Sequence, residues 1–320
     1  MFHFRRFFVF ATVFAVLVSG SCKRDEEDPE NAHMWVFDYS VNNLETLTTF
    51  EHNASMGGPI NQSALVEASG VAVSRQNPNW VWSHNDAGHP NRIYLLDEFG
   101  QDRGTFVLNG AHSRDYEDIC IGPGPQAGVN YIYLGDIGDN HAQFEYIVVY
   151  RFPEPDIQTG SPGGLTQINA GQIERFEFVY PNGPRDAETL MIDPLTLDLY
   201  IVSKREAKSL IYRASHPYSF TQRNTLELLA QLPFNRALGG DISDDGLHIA
   251  VKDDDRIFYW NRDPTESIVQ AMSRQPRLLP YIPEPQGESF GWTPGATGYV
   301  TLSEQAGSTA PVLYHYTATD

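Results

Sequence analysis

The sequence predicts an all-β fold, and three observations support this prediction. Aromatic residues make up 12% of the 320 residues, a share that favours strands. The chain also contains 26 Gly and 21 Pro, which interrupt helices and mark turns. In addition, short apolar segments typical of strands recur along the chain, with turn residues between them. We therefore expect many short strands joined by turns.

A pattern of three strands repeats about every fifty residues. Each copy begins with a short apolar strand after an acidic or Gly-rich turn, and an apolar second strand and an aromatic third strand follow. The first strands are predicted at 67–73, 115–121, 186–192, 239–243 and 287–292. The second strands are predicted at 80–83, 131–134, 199–202, 248–251 and 299–302. The third strands are predicted at 92–95, 148–151, 210–213, 257–260 and 312–315.

Four antiparallel strands in a repeat of this length are typical of a β-propeller blade. A weaker fourth strand follows most copies, for example at 105–108 and 175–179. The copies predict five blades, and a sixth within 160–171 or 34–50 is an open alternative. The last copy ends after its third strand, so we expect an N-terminal strand at 46–50 to complete the last blade. A β-sandwich is the competing architecture, but its strands would not repeat the same three-strand pattern.

The first 22 residues predict a lipoprotein signal peptide. Two arginines precede an apolar segment, 7–18, that is too short to span a bilayer. Small residues then lead to Cys22, which resembles the lipobox of bacterial lipoproteins, although Ser19 stands where that pattern usually has Leu. The acidic segment directly after Cys22 resembles the surface-export signal of Bacteroidetes-type lipoproteins.

Lipidation of Cys22 predicts a chain of three parts. Residues 1–22 are the signal peptide, residues 23–33 are an acidic flexible tether, and residues 34–320 are a single β-propeller domain. We expect an outer-membrane lipoprotein of the bacterial cell envelope, on the periplasmic or the cell-surface side, that contacts the membrane only through its lipid. The second cysteine, Cys120, then has no partner for an intramolecular disulfide, and its apolar neighbours predict a core position.

The charge of the chain limits its partners. Lys and Arg total 22 against 41 Asp and Glu, which gives a formal net charge of -19. A surface this acidic repels phosphate groups, so we expect no nucleic-acid partner. A small ligand, a protein or a glycan remains possible as a partner, and we expect a monomer.

Six motifs resemble a group of uncharacterised bacterial β-propellers that are distantly similar to the phytase-like (esterase-like) propeller family. They are SHNDAG at 83–88, RDYEDI at 114–119, LGDIGDN at 134–140, GPRDAE at 183–188, DISDDG at 241–246 and QGES at 286–289. The resemblance implies a propeller, with calcium as a candidate cofactor. It does not establish an activity.

The repeat also predicts where a site lies. In a propeller, the loops before the first strands and after the second strands lie on the same face, around one mouth of the central channel. Carboxylates and backbone carbonyls are suitable ligands for Ca²⁺. We predict that the metal ligands are the acids at first-strand starts, Asp115, Glu117, Asp186, Glu188 and Glu288. We predict that the ligand-binding residues on the same rim are Asp86, Arg114, Asp136, Arg185, Lys204, Lys252 and Glu304.

Three interpretations of this acidic mouth are open. The acids either form salt bridges with Arg and Lys from blade to blade, or hold a metal, or take part in catalysis. The leading functional prediction is an exported, lipid-anchored propeller that binds a ligand or partner at the mouth, with calcium as a candidate cofactor. A metal-dependent ester or phosphoester hydrolase is the first alternative, and a structural interaction module is the second. Whether the protein is an enzyme is left open.

Overall fold

The computed structural model describes residues 34–157, 164–308 and 310–319. The predictions for residues 1–33, which include Cys22 and the tether, therefore concern residues outside the described ranges. The described part of the chain contains one short α-helix, α1 (Ile268–Met272), and two 3-10 turns, Ala170–Gln172 and Pro294–Ala296. No helix within these ranges is both long and apolar enough to cross a bilayer.

The remaining regular structure consists of strands. Two short strands come first, β1 (Trp35–Val36) and β2 (Ser55–Pro59). The first blade contains β3 (Ala68–Val73), β4 (Val81–Asn85), β5 (Arg92–Leu96) and β6 (Asp102–Leu108). The second blade contains β7 (Tyr116–Pro123), β8 (Asn130–Asp136), β9 (Ile147–Pro153) and, after β10 (Leu165–Ile168), β11 (Glu174–Val179). The third blade contains β12 (Ala187–Ile192), β13 (Leu199–Ser203), β14 (Leu210–Ala214) and, after β15 (Asn224–Thr225), β16 (Glu227–Gln231).

The last two blades follow the same plan. The fourth blade contains β17 (Gly239–Ile242), β18 (His248–Lys252), β19 (Ile257–Asn261) and β20 (Arg277–Leu279). The fifth blade contains β21 (Gly291–Trp292), β22 (Gly298–Leu302), β23 (Val312–Thr317) and the N-terminal strand β2. Neighbouring strands within each blade are antiparallel, and the predicted all-β fold with five four-stranded blades is confirmed.

Three blades carry a fifth, outer strand that runs parallel to its neighbour. β10 pairs with β6 of the first blade, β15 with β11 of the second, and β1 with β16 of the third. The segments 160–171 and 34–50 had left room for a sixth blade. Their described strands, β10 and β1, instead widen existing blades, so the structure has five blades.

The N-terminal part of the chain closes the ring, as predicted, but with other residues than expected. β2 pairs antiparallel with β23 and becomes the outer strand of the fifth blade. The expected segment 46–50 contributes only its end to the fifth blade, where Phe50 bridges Ala318 just after β23, whereas Thr46 bridges Leu278 of the fourth blade. Closure by the N-terminal strand leaves the last blade without an open edge at β23.

Apolar side chains fill the interfaces between blades. The first strand of each blade contacts the first strands of both neighbouring blades, so the five first strands surround a central channel. Five separate apolar clusters lie between successive blades, and the fully buried Trp82 belongs to the cluster between the first and second blades. Burial of this apolar surface, at about 25 cal/mol per Å², is the main favourable contribution to folding. The ring thereby becomes a fixed support for the loops at its mouth.

Candidate functional site

The first strands of several blades contain one extra residue at the same place. In the first three blades this β-bulge lies between Ala68 and Gly70, between Tyr116 and Asp118, and between Ala187 and Thr189. The extra residues are Ser69, Glu117 and Glu188. A bulge bends its strand and redirects a side chain out of the regular alternation. The repeat therefore places Glu117 and Glu188 in equivalent positions at one end of the channel.

Two groups of three carboxylates form at this end and share Glu117. One group contains Asp86, Asp115 and Glu117, and the other contains Glu117, Asp186 and Glu188. Within each group, one oxygen of each carboxylate lies within 4.8 Å of the corresponding oxygens of the other two. Asp86 follows β4, whereas the other four acids lie at the starts of β7 and β12. We call these five residues the acidic cluster.

Burial and mutual repulsion disfavour the ionised form of these acids. Loss of water contact raises the pKa of Asp115 to about 7, and the charges of Asp86 and Asp186 add to this shift. Burial, followed by the charge of Glu188, raises the pKa of Glu117 well above its usual range. Burial, followed by the charge of Glu288, does the same for Glu188. The cluster thus contains more negative charge than its own surroundings stabilise.

Several oxygens of the cluster have no hydrogen-bond partner among the described residues. They are Oδ1 of Asp115, Oδ2 of Asp186 and Oε2 of Glu188, in residues that are only 6%, 3% and 3% exposed. A buried carboxylate oxygen without a donor is costly, so native structures nearly always satisfy it with protein, water or an ion. A cation bound between these acids would satisfy these oxygens and offset the repulsion.

Backbone groups hold the cluster in place. The backbone N–H of Asp115 donates to Oδ1 of Asp136, and the N–H of Asp139 donates to Oδ1 of Asp186, both at 2.8 Å. Ser69 donates its hydroxyl to the carbonyl oxygen of Glu117 at 2.8 Å. The carboxylates are therefore oriented before any ligand arrives.

Gly138 allows the loop after β8 to approach the acids closely. A Cβ atom at this position would overlap Oε1 of Glu117 and lie 2.5 Å from Cγ of Asp115. Any side chain at position 138 would have to displace two carboxylates of the cluster.

Two consecutive basic residues neutralise part of the cluster. Nζ of Lys204 forms an ion pair with Glu188 and lies 3.6 Å from Oε1 of Glu288. Burial alone would lower the pKa of Lys204, but the charges of Glu188 and Glu288 outweigh it and raise this pKa. Nε of Arg205 lies 2.5 Å from Oδ2 of Asp186, without the alignment of a hydrogen bond. Two positive charges thus face five carboxylates.

The structure brings some predicted site residues together and separates others. Four of the five predicted metal ligands, Asp115, Glu117, Asp186 and Glu188, belong to the acidic cluster. Asp86, which was predicted to bind the ligand, joins the same cluster. Glu288 lies outside both groups of three and is linked to them through Lys204.

The other predicted ligand-binding residues lie around this centre or have partners elsewhere. Nε of Arg114 is 3.6 Å from Oδ1 of Asp136, and the guanidinium lies 4.2 Å from the centre of the Phe144 ring. Nζ of Lys252 donates to the carbonyl oxygen of Gly287 and, at 3.0 Å, to that of Asp253.

Arg185 and Glu304 also have local partners. Arg185 pairs with Glu206 at 2.6 Å rather than with a residue of the acidic cluster. Oε2 of Glu304 accepts a hydrogen bond of 2.6 Å from the side chain of Gln286. Burial, followed by the charge of Glu288, raises the pKa of Glu304 to about 7.

Sequence reasoning missed Arg205 and Gly138. Arg205 directly follows the predicted Lys204 in the loop after β13, and a cation next to a predicted rim residue is a signal that was available. Gly138 lies in the LGDIGDN motif, but nothing in a single sequence distinguishes a glycine that makes room for carboxylates from one that makes a turn. Its role follows only from the three-dimensional approach of Glu117.

Comparisons with known proteins find matches among solved structures only, and these matches have low sequence identity. No protein-family model matches the chain, and no curated protein matches it. The solved structures that match include a gluconolactonase from Xanthomonas campestris, at 15% identity and a TM-score of 0.42 over 79% of this chain and 72% of the other. An auxiliary nutrient binding protein from Bacteroides thetaiotaomicron matches at 12% identity and a TM-score of 0.42, over 85% of this chain and 62% of the other.

A third matching structure is the Dos1 propeller, at 11% identity and a TM-score of 0.37 over 78% of this chain and 68% of the other. No match supports the phytase-like resemblance, which stays a prediction. The assignment of this chain to the β-propeller fold therefore rests on its own five blades.

Proposed function

We propose that the acidic cluster binds a calcium ion, and that the protein is an exported, lipid-anchored propeller that binds a ligand at this mouth of its channel. One observation carries the proposal. Two groups of three carboxylates share Glu117 and retain buried oxygens without hydrogen-bond partners. Calcium binds six to eight oxygen ligands in flexible geometry, which suits a set of carboxylates contributed by two blades and a loop.

The donor set favours calcium over softer metals. The cluster offers carboxylate oxygens, and neither group contains a His or Cys ligand. Zinc and copper sites in proteins are usually built with imidazole or thiolate ligands, whereas hard cations prefer oxygen. Magnesium is smaller and demands near-ideal octahedral geometry, so it fits less easily between acids that the fold fixes on separate strands.

Ligand binding at the mouth follows from the incomplete ligand set. Each group supplies three carboxylates, which leaves positions on a cation for oxygens of an incoming ligand. Arg114 and Lys204 lie next to the cluster and can bind the polar groups of that ligand. The candidate ligands are small molecules, proteins and glycans, and the net charge of -19 disfavours nucleic acid.

Chelation tests the calcium proposal. The ion binds the folded ring and not the unfolded chain, so at 100 times its dissociation constant it stabilises the protein by about 2.7 kcal/mol. We expect the melting temperature of the purified protein to fall when a calcium chelator is added and to recover with calcium in excess. A melting temperature that is the same with chelator and with calcium, together with no metal in elemental analysis, would favour a purely structural interaction module.

A hydrolase is the second candidate, and the place of Glu304 in the loop after β22, on the rim of the mouth, favours it. A carboxylate with a pKa of about 7 is suited to accept a proton from water near neutral pH, and Glu304 lies outside both metal-binding groups. A screen of carboxylate and phosphate esters tests this candidate. Hydrolysis that is lost in Glu304→Gln and kept in Glu51→Gln would support it, and no turnover of any ester would remove it.

A further inference from the structure

Arg205 occupies part of the proposed calcium site. Its guanidinium contacts Asp186, and it also contacts the side-chain oxygen of Asn140. We propose that Arg205 is an exchangeable counter-ion: calcium displaces it from Asp186, and the released guanidinium then binds the carboxylate group of a ligand. This inference rests on the proposed calcium site and extends it to the class of ligand and to the order of binding.

The contact atom is the first reason for exchange. Oδ1 of Asp186 already accepts a hydrogen bond from the backbone N–H of Asp139, at 2.8 Å. Oδ2 has no backbone donor, and Arg205 contacts this oxygen. Asp186 belongs to the group formed with Glu117 and Glu188. Calcium and Arg205 therefore compete for the same carboxylate group.

The second reason is the difference between the two basic residues. The side chain of Lys204 is only 9% exposed and is held between Glu188 and Glu288. The side chain of Arg205 is 47% exposed, so water can replace the contacts that it loses. The carboxylate of Asp186 is only 2% exposed and needs a counter-ion, which calcium supplies when Arg205 leaves. Arg205 can therefore be exchanged for calcium, whereas Lys204 stays.

Charge limits which anion can bind. If the five acids of the cluster are ionised, calcium, Lys204 and Arg205 leave a net charge of -1, and Glu288, which shares Lys204, adds another negative charge. A carboxylate with a single negative charge meets less repulsion there than a phosphate with two. The planar guanidinium also matches the two oxygens of a carboxylate. One ligand oxygen can occupy an open position on the cation while Arg205 binds the group from the rim.

Exchange makes the two binding events mutually dependent. Calcium frees the guanidinium that the carboxylate needs, and a bound carboxylate keeps Arg205 away from Asp186. By linkage, each ligand then raises the affinity for the other by the same factor. Without Arg205, calcium binding loses its competitor and carboxylate binding loses its partner.

Calorimetric titrations of the full chain test this exchange, with acetate as the carboxylate probe and acetamide as its neutral control. The variants are Arg205→Gln and, as matched control, Arg223→Gln, whose arginine is 45% exposed and pairs with Glu177 outside the cluster. We expect Arg205→Gln to raise calcium affinity about two- to fivefold, because the competing guanidinium is half exposed to water and only partly offsets the charge of Asp186. We expect acetate to bind the wild type more tightly with calcium than without it, and acetamide not to respond.

Arg205→Gln should abolish this effect of calcium on acetate binding, and Arg223→Gln should retain it. If calcium binds the wild type but Arg205→Gln leaves its affinity unchanged or lowers it, the exchange is wrong and the calcium site stands. Acetate binding that does not depend on calcium would overturn the carboxylate part. If calcium gives no heat with the wild type, the proposed function itself fails.

Discussion

The carboxylate of Asp118 on β7 accepts a hydrogen bond of 2.9 Å from the backbone N–H of Leu190 on β12, and so joins the second blade to the third. Its other oxygen accepts the N–H of Ile119, also at 2.9 Å. The same relationship joins the fourth blade to the fifth, where Asp241 accepts the N–H of Trp292 at 2.9 Å. The repeat thus supplies a hydrogen bond between blades at two places, and Asp118 directly follows Glu117 of the acidic cluster.

Removal of the hydrogen bond between Asp118 and Leu190 should destabilise the ring. Asp118→Ala leaves the buried N–H groups of Leu190 and Ile119 without their acceptor, so we expect the free energy of unfolding to fall by about 2–4 kcal/mol. Urea denaturation measures this change. Asp38→Ala, at an exposed position, is the matched control and should change stability by less than about 0.5 kcal/mol. Equal midpoints for the two variants would contradict a role for Asp118 in joining the blades.

Loss of β2 should open the ring. A chain that lacks residues 1–59 exposes the edge of β23, so we expect a clearly lower melting temperature and a tendency to aggregate. A chain that lacks only residues 1–33 keeps every described strand and should melt at the same temperature as the full chain. Thermal unfolding of the two truncations compares them directly. Similar melting temperatures would show that β2 does not close the ring.

Glu284 should make stability depend on pH. Burial raises the pKa of this carboxyl to about 7, against the opposing effects of a hydrogen bond from Thr301 and the charge of Lys252. Between the ordinary value of 4.5 and about 7, the folded protein therefore keeps a proton that the unfolded chain releases. The free energy of unfolding consequently falls as the pH rises through this range.

Glu284→Gln removes this titration. Relative to the variant, the wild type should lose stability on the order of 3 kcal/mol between pH 4.5 and pH 7. Other raised acids contribute to both proteins alike, so the difference between the two denaturation curves reports Glu284 together with Lys252, whose charge acts on it. Curves that stay parallel across this pH range would disagree with a raised pKa at this position.

Gly138→Ala should damage the calcium site without unfolding the propeller. The added Cβ overlaps Glu117 and pushes against Asp115, so we expect the thermal stabilisation by calcium to disappear. Gly171→Ala, where an added Cβ meets no atom within 4 Å, should keep the full response. Differential scanning fluorimetry with and without calcium compares the two. An unchanged response in Gly138→Ala would mean that Glu117 and Asp115 do not hold the ion.

Cys22→Ala should release the protein from the membrane. If lipid on Cys22 is the anchor, the variant will move from the membrane fraction to the soluble exported fraction, because the apolar segment 7–18 is too short to span a bilayer. Cys120→Ala, which changes a buried thiol, is the control and should stay with the membrane. Fractionation followed by immunoblotting measures both. Membrane association of Cys22→Ala would count against the lipoprotein assignment.

The blade plan could be predicted from the sequence because strands such as Tyr131–Leu134 and Ile257–Trp260 have their own apolar and aromatic pattern. The closing strand β2 could not be predicted in the same way. Its sequence is Ser-Met-Gly-Gly-Pro, and Gly and Pro are rare in strands, so this segment forms a strand only because it pairs with β23. The segment 46–50 looked more strand-like, yet its ends bridge two different blades.

The acidic cluster was partly predictable for the same reason. Glu117 and Glu188 occupy equivalent places in the repeat, so their convergence follows from the fold. The β-bulges that orient these two side chains could not be predicted from the sequence, because a bulge depends on how the first strand of a blade is paired with the second. The loop after β13 and the residue before β12 were expected on the same face, but the contact of Arg205 with Asp186 depends on where the side chains lie, which the repeat alone does not give.

A calorimetric titration of the purified protein with calcium tests the central claim most directly. We predict saturable heat for the wild type, and its loss in Glu117→Gln, since Glu117 belongs to both groups of carboxylates. Glu51→Gln, at an exposed position, should bind like the wild type. If the wild type gives no heat, or if Glu117→Gln binds calcium as tightly as the wild type, the acidic cluster is not a calcium site.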